Sequence, residues 1–191
     1  MILSIETSSE IGSVALAENR TVVWRSSFKG KRHFSSLFSC LEELSLSTSN
    51  IEKILIGIGP GSFSSIRVAI AAAQGLGIAK KAPLFSIPSV WSIGLQFAQV
   101  PSLGVFSDAR RGELFCSLFS YGKLAKGPYL IAKNQLLETL QTLDLAVSPE
   151  DIHEKIIRAY PRAEDFFLLP DLCPPFNDIP FPEPIYLRGP I

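Results

Sequence analysis

Two hydrophobic periods take turns along the first hundred residues. Short β-type runs occupy residues 2–6 and 13–17, joined by a Ser/Gly turn, and a third follows at 21–26 after the polar Glu18-Asn19-Arg20. Phe34, Leu37, Phe38, Leu41 and Leu44 then recur at helical spacing and predict an amphipathic helix over residues 34–46. An apolar run at 54–58 reads as a buried strand, and residues 63–80 as a long helix. A strand at 84–87 leads past Pro88 into a further helix from Ser89. The order is three strands, helix, strand, helix, strand, helix, which is an α/β arrangement.

A second run begins at Ser102. Residues 103–107 predict a strand ending at Asp108, followed by the turn Ala109-Arg110-Arg111-Gly112, a strand at 113–120, another at 128–132 and a helix at 134–143. Strand, acid, polar turn, strand therefore occurs twice, at Glu6 and at Asp108. The pattern reads as a loose duplication of one α/β lobe. Eight of the fourteen prolines fall in the last 31 residues, a density no regular helix or central strand tolerates. This tail is expected to run extended over the second lobe, anchored by Phe166, Phe167, Phe176 and Phe181.

Composition narrows the function. With 18 basic and 18 acidic residues the net charge is zero, so there is no electrostatic footprint for direct nucleic-acid or membrane binding. Lys29, Lys31, Arg32 and His33 form a short basic run of the kind usually found on solvated loops. Cys40, Cys116 and Cys173 match neither a disulfide framework nor a metal knuckle, and the first two sit in apolar segments as small packing residues. The N-terminus lacks a basic region and carries Glu6 early, and prolines break the uncharged stretch 82–107, so a cytoplasmic protein without a membrane span is expected.

Gly59-Pro60-Gly61-Ser62-Phe63 joins the strand at 54–58 to the helix at 63–80. Its glycines permit close backbone approach, and Ser62 stands where a helix N-cap belongs. Such a turn can cradle an anion on bare N–H groups or simply make a tight corner. It is no Walker A loop, because no Gly-Lys-Ser/Thr follows and Arg67 lies one turn inside the helix.

Four segments together carry a resemblance. They are Ile2-Leu3-Ser4-Ile5-Glu6-Thr7-Ser8-Ser9 with Gly12-Ser13-Val14-Ala15-Leu16; Gly59-Pro60-Gly61-Ser62-Phe63 through Arg67 and Gln74-Gly75-Leu76; Asp108-Ala109-Arg110-Arg111-Gly112-Glu113; and Glu183-Pro184-Ile185-Tyr186-Leu187-Arg188. In content and order they resemble the TsaB (YeaZ) family of bacterial threonylcarbamoyladenosine-biosynthesis proteins. Gly-Pro-Gly-Ser-Phe followed by Arg is the specific part; the first segment occurs across the actin-like ATPase superfamily. Ser64 and Ser65 are mild departures from the family pattern. The chain is shorter than the family implies, and residues beyond 120 match it poorly.

The resemblance implies an actin-like (ribonuclease H-like) fold of two duplicated α/β lobes with mixed sheets, residues 1–101 and 102–191, the second shortened and ending in the Pro-rich tail. It implies a non-catalytic subunit in modification of the adenosine beside the tRNA anticodon. That subunit binds and activates a larger TsaD-type paralogue, works with a TsaE-type ATPase, and forms a homodimer in isolation. Contact with tRNA is expected only through the complex. Such proteins also carry a glycoprotease or peptidase label. The implied interface lies on the two helices at 34–46 and 63–79, through Phe34, Leu37, Phe38, Leu41, Ser65, Val68, Ala69, Ala72, Ala73 and Leu76.

Rival chemistries are poorly equipped. An actin-like phosphotransferase needs an acid near the first strand end and Gly-rich hairpins around the phosphates. Glu6, Ser8 and Asp108 are the candidates for weak ATP or ADP binding, but the tip at 6–9 has no glycine and no later Gly-Gly loop exists. A metal site has only His33 and His153 to draw on, and neither belongs to a His-x-x-x-His pair. A peptidase would need Gly-x-Ser-x-Gly around Ser62, which is absent. No catalytic residue, metal or firm cofactor is expected. The helix at 63–80 is apolar nearly all round and rich in Ala and Gly, which suits close approach of another helix.

Overall fold

In the computed structural model, residues 1–29, 33–45, 50–169 and 182–187 are described; the side chains of His33, Phe34 and Ser45 are not. The expected elements appear at or near their sequence positions. They are β1 (Ile2–Glu6), β2 (Ile11–Glu18), β3 (Thr21–Lys29), α1 (His33–Ser45), β4 (Lys53–Gly57), α2 (Phe63–Lys80), β5 (Leu84–Ile87) and α3 (Val90–Gln96). β6 (Leu103–Arg110), β7 (Glu113–Ser120), β8 (Lys123–Ala132) and α4 (Leu136–Leu140) follow. Two strands were not foreseen, β9 (Leu145–Ser148) and β10 (Ile157–Arg158), nor was the 3-10 helix Ala163–Leu168.

The strands form two five-stranded sheets of identical topology. The first has the order β3-β2-β1-β4-β5 and the second β8-β7-β6-β9-β10. In each, the first three strands form an antiparallel meander. In each, the remaining two strands run parallel to the first. The duplication is thus real at the level of strand pairing. The second lobe is shortened in its crossovers rather than its sheet. α1 and α2 supply 13 and 18 residues to the first lobe, whereas the second has the 5-residue α4 and no helix over residues 149–156.

Alternation along the strands decides the layers. Leu3, Ile5, Val14, Leu16, Ile54 and Ile56 face α1 and α2. The opposite face, with Ala15, Ala17, Leu55 and Ile87, packs on Ala163, Phe166 and Phe167. α3 lies between the sheets, its Val90 and Ile93 against Leu103, Val105 and Phe119. α4 covers the far side through Leu136, with Phe106, Leu114 and Cys116. The tail reading is therefore corrected: Phe166 and Phe167 anchor on the first lobe, because α1 and α2 both occupy one face of its sheet and leave the other to be buried. Phe176 and Phe181 lie outside the described residues.

Ala73 has no exposed surface and belongs to the α1/α2 core. Ala73→Arg forces an unpaired guanidinium into it and should cost about 3 kcal/mol or more. Ala71→Arg, on the exposed side of the same helix, should stay within about 0.5 kcal/mol. Thermal melts of the two variants check the assignment of faces.

Candidate functional site: an interlobe cleft and an uncovered helix face

The Gly-Pro-Gly turn is a corner, and a tight one. The Ser62 N–H donates to the Ser8 carbonyl at 2.7 Å. A Cβ on Gly61 would fall 2.1 Å from that same carbonyl, so no other residue fits. Gly59 holds φ +90, and its N–H donates to Ser89 Oγ at 3.0 Å. Ser62 is the N-cap, but its hydroxyl is shared with Ser65 Oγ at 2.8 Å rather than with a backbone N–H. Thr7 Oγ1 donates to the Ser65 carbonyl at 3.1 Å, tying the end of β1 to the first turn of α2.

Glu6 lies beneath this corner, fully buried. Its Oε1 accepts the Ser8 N–H at 2.6 Å, while Oε2 has no hydrogen-bond partner among the described residues. A Cβ on Gly57 would stand 1.9 Å from Oε2, so β4 needs glycine there. Burial pushes the Glu6 carboxyl above its usual range, against the opposing pull of the Ser8 and Ser89 hydroxyls and nearby backbone amides.

A cleft of about 1420 Å³ separates the lobes. One wall is Ser8, Ser9, Glu10 and the start of α2; the other is Asp108 to Arg111, Pro149 to Asp151 and Arg158. Residues 184–187 complete the rim. Arg158 and the Tyr160 hydroxyl, from the second lobe, donate to Glu10 Oε1 at 2.8 and 2.7 Å. These bonds bridge the lobes, and with Lys29 alongside at 3.4 Å they hold the Glu10 carboxyl below its usual range, the Tyr160 hydrogen bond most of all. Asp108 pairs with Arg110 at 3.2 Å and Lys133 at 3.5 Å, and its N–H donates to Glu150. Burial raises the Glu150 carboxyl, partly offset by that N–H.

Glu6 and Asp108 are not equivalent, contrary to the repeated strand-acid-turn pattern. Glu6 shares a face with Ser4, whose hydroxyl meets Ala163 in the layer between the sheets. Asp108 shares the parity of Phe106, on the α4 side; the counterpart facing inward is Ser107. A nucleotide with Mg²⁺ does not fit these residues. Glu6 is sealed from the cleft, the N–H of the N-cap residue Ser62 is spent on Ser8, Asp108 is already paired, and the tip at 8–10 carries no glycine. Only Ser8 of the nucleotide candidates joins Asp108 at the cleft wall. Among the described residues no cluster of His, Cys, Asp and Glu could hold a metal ion. No helix there is long and apolar enough to cross a membrane.

The outer face of α1 and α2 is the second feature. Leu37, Leu41, Ala69, Ala73 and Ser65 are buried. They belong to the lobe's own core or corner and are removed from the expected interface. Val68, Ala72 and Leu76 are half-buried at its edge. Phe38 is exposed, and the Phe34 side chain lies outside the described residues. Sequence reasoning passed over the outermost positions, Phe63, Arg67, Ala71, Gly75 and Ile78, which are all exposed, Ile78 at 82%. Their 4, 4, 4 and 3 spacing was a readable signal. Gly77 has an internal reason, since a Cβ there would meet Leu84 at 2.3 Å, but a Cβ on Gly75 meets nothing within 4 Å. α3 does not cover this face; it packs between the sheets.

Comparison with known proteins gives the family. The family model described as TsaD, tRNA N6-adenosine threonylcarbamoyltransferase, matches residues 31–179. The tRNA threonylcarbamoyladenosine biosynthesis protein TsaB of Bacillus subtilis is 26% identical over 163 residues, 81% of this chain and 66% of that protein. TsaB of Escherichia coli is 25% identical over 162 residues, 81% of this chain and 65% of that protein. The chain belongs to the TsaB/YeaZ family. It spans about two thirds of the length of these curated relatives, and 53% of an uncharacterized Mycobacterium tuberculosis protein to which it is 29% identical. YeaZ from Pseudomonas aeruginosa shares the fold at TM-score 0.67 and 19% identity, over 87% of this chain and 88% of that one. A Pseudomonas aeruginosa protein described as similar to peptidase YEAZ reaches TM-score 0.76 at 19% identity, over 98% of this chain and 99% of that one. In this chain the serine at the peptidase-like corner, Ser62, is bonded to Ser65 rather than to a base.

Glu6 makes a pH prediction. Its carboxyl is raised above the ordinary 4.5, so the folded protein holds this proton more tightly than the unfolded chain. The resulting stability is whole below that value and is lost as pH rises through the folded-state pKa. Glu150 and Asp165, also raised by burial, act in the same sense, and the lowered Glu10 in the opposite one. Glu6→Gln keeps the acceptor for Ser8 and removes the charge. Its melting temperature should therefore fall less steeply than wild type as pH rises above 4.5; parallel curves would show that Glu6 carries no shifted proton.

Proposed function

We propose that this chain is the non-catalytic partner subunit of the tRNA threonylcarbamoyladenosine machinery, binding and activating a larger TsaD-type paralogue through the outer face of α1 and α2. One observation carries the reading: an exposed stripe of small and apolar residues on α2, Ala71, Gly75 and Ile78, together with the exposed Phe38 on α1, which none of the described elements covers. Membership of the TsaB/YeaZ family supplies the class of partner, and the names of the curated relatives supply the pathway. A TsaE-type ATPase joins the complex, the isolated chain pairs with itself through the same face, and the site of action is the cytoplasm. Zero net charge favours tRNA contact made by the complex rather than by this subunit. The ill-fitting nucleotide site favours a scaffold over an actin-like ATPase.

Reconstitution with the paralogue, the TsaE-type ATPase, threonylcarbamoyl-AMP and tRNA tests it. Modification should require this chain, and Ala71→Arg should weaken paralogue binding at least about tenfold while leaving the melt unchanged. Equal modification without the chain would sink the proposal. So would ATP turnover by the chain alone that Glu6→Ala abolishes.

A further inference from the structure

The uncovered stripe does not stop at Ala71. Phe63, Arg67, Ala71, Gly75 and Ile78 form one line along α2, about 22 Å long at 1.5 Å per residue. At its N-terminal end the line meets a segment distant in sequence. The Ile185 N–H donates to the Ile58 carbonyl at 3.0 Å, fastening residues 182–187 where the chain leaves β4. This places the Tyr186 ring against Phe63, centroids 5.6 Å apart and planes at 55°. The Arg67 guanidinium lies over the same Phe63 ring, 5.1 Å from its centroid. Tyr186 and Phe63 stay half exposed, at 52% and 48%. Tyrosine, phenylalanine and arginine stacked at a surface have the composition of an interface hot spot.

We infer that residues 182–187 complete the docking surface of α2, through the Tyr186–Phe63–Arg67 stack, and that the partner brings a carboxylate to Arg67. The inference rests on the docking role proposed above and deepens it. Its charge argument is simple. Arg67 is the sole charged member of the line, and it has no carboxylate within ion-pair distance among the described residues. A second copy laid line against line offers no acid from its own stripe, whereas a paralogue helix with an apolar face and one acidic side chain satisfies both the small residues and the cation. The strap thus does two things at once: it rims the cleft, and it presents an aromatic ring beside the start of α2.

The test is calorimetric titration of the full chain with the purified paralogue, with melts in parallel. Tyr186→Ala should weaken binding about tenfold at an unchanged melting temperature, and Tyr186→Phe should bind like wild type. Arg67→Glu should weaken it further, and the salt dependence of binding should shrink in Arg67→Ala. Wild-type affinity in Tyr186→Ala, alongside lost binding in Ala71→Arg, would overturn this inference and leave the docking role standing. Normal binding by Ala71→Arg would overturn the docking role itself. If Tyr186→Ala binds weakly but also melts early, the strap merely props α2 and the inference fails.

Discussion

The backbone of one residue near the end of the chain holds the two lobes to a common frame. Ser4 Oγ donates to the Ala163 carbonyl at 2.8 Å, and the Ala163 N–H donates to Ser13 Oγ at 2.9 Å. Ala163 is fully buried against β1 and β2, so neither polar group could find water if these serines were lost. The clasp is possible because this face of the first sheet is built from small residues, Ser4, Ser13, Ala15 and Ala17. It seats Phe166 and Phe167 beneath the sheet and carries Asp165 to α3, where Ser92 and Gln96 donate to its carboxylate at 2.7 and 2.8 Å. Everything between the sheets is fixed by that return of the chain.

The cleft follows from it. With α3 and the 163–168 helix filling the space between the sheets, the gap left is at the ends of β1 and β6, where the turns meet. In open α/β sheets that is where ligands bind, yet here the cradle has been closed from within. Ser62 and Gly61 press on Ser8, Glu6 is roofed by Gly57 and Ser89, and the Glu10–Arg158–Tyr160 bridge spans the mouth. The Ser62 N–H and the Glu10 carboxylate, both at the cleft wall, are thus spent on contacts within the fold.

How much of this could be read from the chain depended on local signals. The start of α2 was legible because the Gly-Pro-Gly turn and Ser62 mark it, whereas its end is set by Lys81 in the left-handed conformation, which the sequence does not announce. The first sheet was legible because its strands are apolar and bounded by turns. β9 and β10 were not: four and two residues long, they are strands only by virtue of pairing with β6 and with each other. Phe166 and Phe167 state in the sequence that their segment is buried but not against which lobe, and it is the first. On α2 the spacing 63, 67, 71, 75 and 78 groups residues on one face, but the sequence does not say whether that face is the free one. A helix that is apolar all round gives no contrast between faces, so Ala73 and Ala71 look alike in sequence although one is sealed and the other bare.

Gly75 separates the two readings of that bare face. A glycine inside a helix costs about 1 kcal/mol relative to alanine, and Gly77 repays it by letting Leu84 pack where a Cβ would stand. Gly75 has no such neighbour, and a Cβ would point into open space. Ile78 beside it is more exposed than a core residue's chemistry warrants. Among the described residues, no contact explains either choice. Against the helix of another protein, the glycine lets backbones approach and the isoleucine supplies the apolar area that drives the approach. On the docking role proposed above, these residues are chosen for a partner helix rather than for the chain's own core.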